Sequence, residues 1–216
     1  MPGGFLFGLL LFTLCSGIGT GSQHFSQARL DWLALIRAAH AKPIQGQLQQ
    51  VNSRVNQLLL FADDLQVWGQ SDFWATPLEA IRRGAGDCED FAIAKYVALL
   101  QLGLRPEQLR LIYVRAERPQ QGGGIQQQAH MVLGYYPQPQ ATPWILDNLI
   151  PEVLLATQRP DLQPVFSFNT QGLWAGGRRA PTSPSARLSR WRGLLARMQQ
   201  QGMSLERQSL PSLEQE

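Results

Sequence analysis

The chain has 216 residues, of which 44% are hydrophobic and 16% are charged, and its formal net charge is +3 at pH 7. This composition is typical of a globular protein, and the length allows one domain with its own core, with or without a small appendage. A net charge this small does not predict binding to nucleic acid.

Residues 1–22 are predicted to be a secretory signal peptide. An uncharged apolar run at residues 5–14 precedes a stretch of small residues, and the run is shorter than the ~20 residues of a membrane span. No Lys or Arg precedes the run, so an uncleaved anchor or a lipoprotein modified at Cys15 stays open. Cleavage would leave no stable membrane insertion and a single cysteine, Cys88, which favours a reactive thiol over a buried structural one.

Residues 23–70 have apolar residues at helical spacing and are predicted to form core helices. A capping box follows, with Thr76 as the cap, Pro77 at the first helical position and Glu79 as the return partner. The short helix that it begins is expected to end at Gly84.

The next helix is expected to begin beside Cys88. Asp87 is a good N-cap, Asp90 stands where the return partner of a capping-box-like start would be, and an apolar run then continues to about residue 102. Cys88 would lie in the first turn, where free N–H groups and the helix dipole favour a thiolate.

Three strands are predicted after this helix, at residues 109–116, 130–136 and 144–149, with a Gln/Gly-rich loop at 117–128 before the second. The last two are joined by a short Pro-rich turn, which indicates an antiparallel sheet. Helices first and a sheet afterwards indicate the α+β class. A further short strand is expected at residues 165–168.

The C-terminal part is predicted to be an appendage. Residues 178–186 are rich in Pro, Ser and Arg and indicate a linker, residues 187–203 have the spacing of an amphipathic helix, and residues 204–216 are expected to be disordered. We interpret the basic face of the helix as solvated, with a membrane or partner contact as the alternative. The predicted division is therefore a signal at 1–22, a domain at 23–177 and an appendage at 178–216.

Cys88, His130 and Asp147 are the candidate catalytic residues. A thiol protease needs a nucleophilic cysteine, a histidine base and a group that orients the histidine. His24 and His40 fall in the predicted core helices, whereas His130 begins a strand and Asp147 lies in the next one. The order of these three groups on helix, strand and strand is that of papain-like and transglutaminase-like cores.

The acidic residues beside the thiol predict a cation site. Negative charge at Asp87 and Glu89 would raise the pKa of Cys88 unless it is neutralised, and carboxylate oxygens suit calcium. The simpler interpretation is that Asp87 is only a helix cap and Glu89 is only solvated. A zinc site made by Cys88, His130 and Asp147 is a weaker alternative, because zinc sites commonly use more than one cysteine.

Four segments together resemble one protein family, and they lie at residues 74–79, 84–96, 128–133 and 146–149. They resemble the bacterial transglutaminase-like cysteine proteinases, and within them the LapG-type periplasmic proteases, over residues 28–175. The resemblance implies Cys88, His130 and Asp147 as the catalytic positions, and Asp87 and Glu89 as calcium ligands. The segment after residue 178 lies outside the resemblance.

The resemblance also implies a biological role. LapG-type proteases are calcium-dependent periplasmic endopeptidases that cleave a large surface adhesin near its N-terminus, beside a pair of alanines, and so release cells from biofilms. They are restrained by an inner-membrane receptor of the LapD type that senses cyclic di-GMP. Two other functions stay open: acyl transfer through the same thioester chemistry, and a non-catalytic protein that binds a partner.

Overall fold

The computed structural model describes residues 21–120 and 122–207. The predicted signal peptide, including Cys15, lies outside the described residues apart from positions 21 and 22, which begin the first helix. Within the described ranges, no helix combines the length and the apolar character of a membrane span.

The described residues form seven α-helices, nine strands and two single-turn 3-10 helices. The helices are α1 (Gly21–His40), α2 (Ile44–Leu58), α3 (Asp64–Trp68), α4 (Pro77–Arg83), α5 (Cys88–Gln101), α6 (Pro184–Arg187) and α7 (Ser189–Gln200). The strands are β1 (Leu60–Phe61), β2 (Ala85–Gly86), β3 (Leu109–Pro119), β4 (Ile125–Tyr135), β5 (Trp144–Leu146), β6 (Leu154–Leu155), β7 (Leu162–Phe168), β8 (Leu173–Ala175) and β9 (Arg178–Arg179).

Seven strands form one antiparallel sheet in the order β6-β5-β4-β3-β7-β8-β9, and β1 and β2 form a separate parallel pair. Helices α1 to α5 precede this sheet in the chain, so the predicted α+β class with an antiparallel sheet is confirmed. The loop predicted at 117–128 is mostly strand, because β3 and β4 pair along their full length of 11 residues each. The two strands therefore form a long hairpin.

Helix α5 is the centre of the core. Its apolar residues are buried on all sides, as expected of a helix without a polar face. It packs against β3 and β4, whose odd-numbered residues, such as Leu111 and Met131, face the helices. Even-numbered residues, such as Ile112 and Val132, form a smaller cluster on the other face of the sheet, as the two-residue period of a strand requires.

Helix α4 begins and ends as its sequence predicts. Thr76 and Glu79 form the reciprocal capping box, with Pro77 at the first helical position. Gly84 ends the helix in the left-handed conformation, with φ of 67°, which glycine adopts without steric cost.

The segment predicted as an appendage packs against the domain instead of following it as a linker. Trp191, Leu194 and Met198 of α7 are at most 2% exposed and belong to the main core. Their helical spacing puts an apolar stripe on one face of α7, and burying that stripe removes apolar surface from water. The described residues 178–207 thus contribute to the domain that contains α5.

Replacing Trp191 with alanine is expected to lower the free energy of unfolding by about 3–5 kcal/mol, because it leaves a large cavity in the core. Thermal unfolding would measure the loss, as a melting temperature lower by roughly 6–20 °C. The matched control is Gln199→Ala on the exposed face of the same helix, expected to change stability by less than about 0.5 kcal/mol. Equal melting temperatures for the two variants would contradict the packing of α7.

Candidate active site

Cys88 is the first residue of α5, so its thiol lies where the helix presents free N–H groups. The side chain of Asp87 accepts a hydrogen bond from the N–H of Glu89 at 3.2 Å, which confirms Asp87 as the N-cap. The thiol donates to Oε2 of Glu89 at 2.9 Å, and it also interacts with the backbone N–H of Met131 in β4. The nucleophile candidate is therefore held between the start of α5 and the edge of β4.

The surroundings of Cys88 raise the pKa of its thiol far above the ordinary value. Burial is the largest cause, followed by the negative charge and hydrogen bond of Glu89 and by the charge of Asp87, while the N–H of Met131 acts in the opposite direction. Burial and the neighbouring carboxylates therefore oppose the thiolate that the start of a helix favours. A positive charge near Glu89 and Asp87 would remove the main electrostatic obstacle.

His130 and Asp147 are in direct contact. Nε2 of His130 is 2.8 Å from Oδ1 of Asp147, and both residues are 1% exposed. Asp147 was predicted within a strand, but β5 ends at Leu146, which pairs with Leu133 of β4. Asp147 thus reaches His130 from just beyond the strand end and not from a facing position in the ladder.

Arg159 fixes the other side of Asp147. Its Nη2 donates to Oδ2 of Asp147 at 2.8 Å, and the N–H of Leu149 donates to Oδ1 at 3.1 Å. Burial would raise the pKa of Asp147, but the hydrogen bond and charge of His130, together with these donors, hold that pKa well below its usual range. Lys95 of α5 is buried near this carboxylate, and burial lowers the pKa of its ammonium group to about 7.

Replacing Arg159 with methionine is expected to lower stability by about 3–5 kcal/mol, because it leaves the buried Asp147 carboxylate without its charged partner. It should also lower kcat by roughly 10- to 100-fold, because Asp147 would no longer hold the imidazole of His130 in place. Urea unfolding and steady-state kinetics would measure the two effects. Arg190→Met is the matched control, since its pair with Asp72 is 50% and 47% exposed, and an exposed pair contributes less than about 1 kcal/mol. Similar losses in both variants would contradict a specific role for Arg159.

Cys88 and His130 line the same cavity, whose volume is about 620 Å³. The wall also includes Phe61, Asp63, Asp87, Glu89, Tyr113, Arg118, Gln128, Ala129, Asn148 and Leu149. A more apolar cavity of about 390 Å³ lies on the other face of the sheet and contains neither Cys88 nor His130. The structure therefore brings the predicted nucleophile and base to one cleft, with Asp147 behind the histidine.

Four carboxylates cluster at the start of α5. The ligand atoms of Asp64, Asp87 and Asp90 lie within 4.8 Å of one another, as do those of Asp87, Cys88 and Glu89. Burial, with the charges of Glu89 and Asp90, raises the pKa of Asp87 to about 9. Burial raises the pKa of Asp90 to about 8.

This cluster fits a bound calcium ion. Oδ1 of Asp64 and Oδ2 of Asp90 are buried and have no hydrogen-bond partner among the described residues, although a buried carboxylate oxygen is normally satisfied. Calcium takes six to eight oxygen ligands, many of them from carboxylates. In the described part of the chain, the ligand atoms near Cys88 do not include His130 or Asp147, so the alternative zinc set is not assembled.

The sequence analysis missed Asp64, Asp90 and Arg159 in these roles. Asp64 begins α3 and Arg159 follows a 3-10 turn, so no local pattern connects either residue with the cleft. Asp90 was interpreted as the return partner of a helix cap, whereas its Oδ1 accepts a hydrogen bond from the N–H of Ala75 at 2.7 Å. Gly86 allows this carboxylate to come close, because a Cβ at that position would lie 2.6 Å from Oδ2 of Asp90.

The chain is similar to proteins of known structure. A family model described as bacterial transglutaminase-like cysteine proteinase matches residues 31–161. The EGTA-treated structure of LapG from Legionella pneumophila is 36% identical with a TM-score of 0.67, and the match covers 82% of this chain and 96% of that chain. The calcium-bound structure of the same protein is 41% identical with a TM-score of 0.66, covering 81% and 91%. A comparison with curated proteins found no match.

Proposed function

The chain belongs to the bacterial transglutaminase-like cysteine proteinase family, and from this we propose that it is a calcium-dependent periplasmic cysteine endopeptidase that uses Cys88, His130 and Asp147. The observation that carries the proposal is the cleft that Cys88 and His130 both line, with Asp147 hydrogen-bonded to His130 at 2.8 Å. A thiol, an imidazole and a buried carboxylate in this order are the groups that acyl transfer from a peptide requires.

In the proposed mechanism, the two ring nitrogens of His130 have different roles. Nε2 bonds to Asp147, so Nδ1 is the nitrogen left to take the thiol proton from Cys88. Sγ then attacks the scissile carbonyl, and the protonated imidazole gives its proton to the leaving amine, which leaves a thioester on Cys88. His130 next takes a proton from water, whose oxygen attacks the thioester carbonyl. The C–S bond then breaks, the carboxylic acid leaves, and His130 returns the proton to Sγ of Cys88. Backbone N–H groups at the start of α5 are the donors available to the oxyanion.

The acidic cluster explains why this chemistry would depend on calcium. The residues that would hold the ion are Asp64, Asp87, Glu89 and Asp90, whose oxygens are crowded and partly without partners. Calcium bound there would offset the negative charge of these carboxylates. That positive charge would favour the thiolate of Cys88. Oε2 of Glu89 accepts the hydrogen bond of the thiol at 2.9 Å, so a cation held by Glu89 would lie close to Cys88.

The proposed substrate is the N-terminal region of a large surface adhesin, cleaved near a pair of alanines, with release of biofilm cells as the outcome. The proposed regulator is an inner-membrane receptor of the LapD type that responds to cyclic di-GMP. The proposed substrate and the proposed regulator are both supported by the resemblance of the segments around Cys88, His130 and Asp147 to the LapG-type proteases. The periplasm is the proposed location because residues 1–22 have the pattern of a secretory signal.

The proposal is tested by incubating the protein with an adhesin N-terminal fragment from the same genome. Two fragments, with a new N-terminus beside the dialanine site, are expected in calcium and not in excess EGTA, and added calcium should restore cleavage. The same fragment with aspartates in place of the two alanines is the control and should stay intact. No cleavage of the unmodified fragment in calcium would overturn the proposal, and a cross-linked isopeptide product would instead support acyl transfer.

A further inference from the structure

Strand β4 has one edge that is paired along its length and one that is half open. On the first side, all residues from Ile125 to Tyr135 pair with β3. On the second side, β5 pairs only with Leu133 to Tyr135, and no other described strand takes the remaining positions. The backbone from Ile125 to Val132 is therefore open on one side.

Backbone hydrogen bonds identify which residues point to the open side. The N–H of Tyr136 donates to the carbonyl of Gln108, the residue directly before β3, so even-numbered residues of β4 bond to β3. Odd-numbered residues then direct their N–H and C=O groups away from β3. Gln127 and Ala129 are the odd-numbered residues next to the site, and both are exposed.

The open edge leads to the nucleophile. The next odd-numbered residue is Met131, and its N–H faces the thiol of Cys88. Ala129 lines the cavity that contains Cys88 and His130, and Phe61, which is 58% exposed, lines the same cavity. A peptide strand along this edge would thus pass the thiol within a cavity that also offers an exposed aromatic side chain.

The edge is open because β5 ends early. The carbonyl of Asp147 accepts a hydrogen bond from Nδ2 of Asn56 at 3.0 Å, and its carboxylate bonds the N–H of Leu149. These contacts turn the chain away from β4 directly after Leu146. The same contacts of Asp147 therefore leave the edge of β4 before Leu133 without a neighbouring strand.

We propose that the substrate binds as an extended strand along the open edge of β4, with its backbone paired to Gln127 and Ala129. The ligand is a segment of unfolded polypeptide whose alternate backbone N–H and C=O groups are free, so a proline is excluded at the pairing positions. The inference rests on the proposed protease function and names how that site holds its substrate. Such strand addition would hold the scissile carbonyl beside Cys88 before chemistry, because the open edge continues to Met131, whose N–H interacts with the thiol.

The first test scans the backbone of a synthetic peptide that spans the mapped cleavage site. Single N-methyl groups remove one donor at a time and block pairing on that side. Strand addition predicts losses in kcat/KM of about tenfold or more at every second position and small effects between them. Losses without this alternation would overturn the inference, although cleavage of the unmethylated peptide would still support the protease function.

The second test removes one donor from the enzyme. Gln127→Pro deletes an N–H that points to the open side, where proline is tolerated in a strand, and Gln127→Ala keeps that N–H as the matched control. The proline variant is expected to lose about tenfold in kcat/KM for the peptide, while Cys88 reacts with iodoacetamide at the rate of the control. Equal kcat/KM for the two variants would overturn the inference.

Discussion

Replacing Cys88 with alanine is expected to lower kcat for the adhesin fragment by about 10⁴- to 10⁶-fold, because no other group in the cleft can form the thioester. The thiol is the only cysteine side chain that the structure describes, and it shares its cavity with His130. Cleavage followed by gel densitometry over several enzyme concentrations would measure the loss. The residual rate would come from the oxyanion donors and from substrate binding alone.

The folding control for this variant is its response to calcium. Cys88→Ala keeps Asp64, Asp87, Glu89 and Asp90, so calcium should still raise its melting temperature. A variant that keeps this response but has lost cleavage identifies the thiol as the nucleophile. More than a hundredth of the wild-type rate in Cys88→Ala would contradict thioester chemistry at this residue.

Calcium removal is expected to abolish cleavage and to lower the melting temperature by about 5–10 °C, relative to calcium at a hundredfold excess over its Kd. The reason is that calcium would bind only the folded cluster, in which Asp64, Glu89 and Asp90 are less than 9% exposed, and so would stabilise the folded state. Scanning fluorimetry with EGTA, and then with excess calcium, would measure the shift. An equal melting temperature with and without calcium would contradict the site.

The stability of the calcium-free protein should also depend on pH in a defined direction. The pKa values of Asp87 and Asp90 are raised from 3.8 to about 9 and about 8, so the folded state holds protons that the unfolded state has lost. The contribution of these two groups to the free energy of unfolding is fully present below pH 4 and is lost as the pH rises through about 8 and 9. Calcium binding displaces these protons, so the thermal shift caused by calcium should increase over the same interval.

The Asp64→Asn substitution tests the acidic cluster as a calcium site without changing the helix cap at Asp87. It removes one charge from a residue outside α5, so the cap made by Asp87 stays intact. The variant should be more stable than wild type in EGTA, because repulsion decreases, and it should gain less from calcium. Asp63→Asn is the matched control, since Asp63 neighbours Asp64 in the chain but is not in the cluster. The same thermal shift in all three proteins would exclude Asp64 as a ligand.

The sequence by itself determined the features that depend on short-range chemistry. The cap at Asp87, the capping box at Thr76 and the left-handed end at Gly84 follow from contacts within a few residues, and each is present in the structure. The α+β class followed from the order of the elements, because helices come first in the chain and an antiparallel sheet follows them. Residue type and position in the chain indicate the three candidate catalytic residues, and Cys88 and His130 share a cleft.

Only the tertiary structure decided which distant residues complete the site. Asp64 reaches the start of α5 from another helix, and Arg159 reaches Asp147 from a turn that follows β6. No periodic pattern in the sequence predicts these contacts, because they depend on how separate helices, strands and turns pack together. The open edge of β4 has the same origin. It exists because Asn56 holds the carbonyl of Asp147, a contact between residues 91 positions apart, and so ends the pairing of β5 beside the thiol.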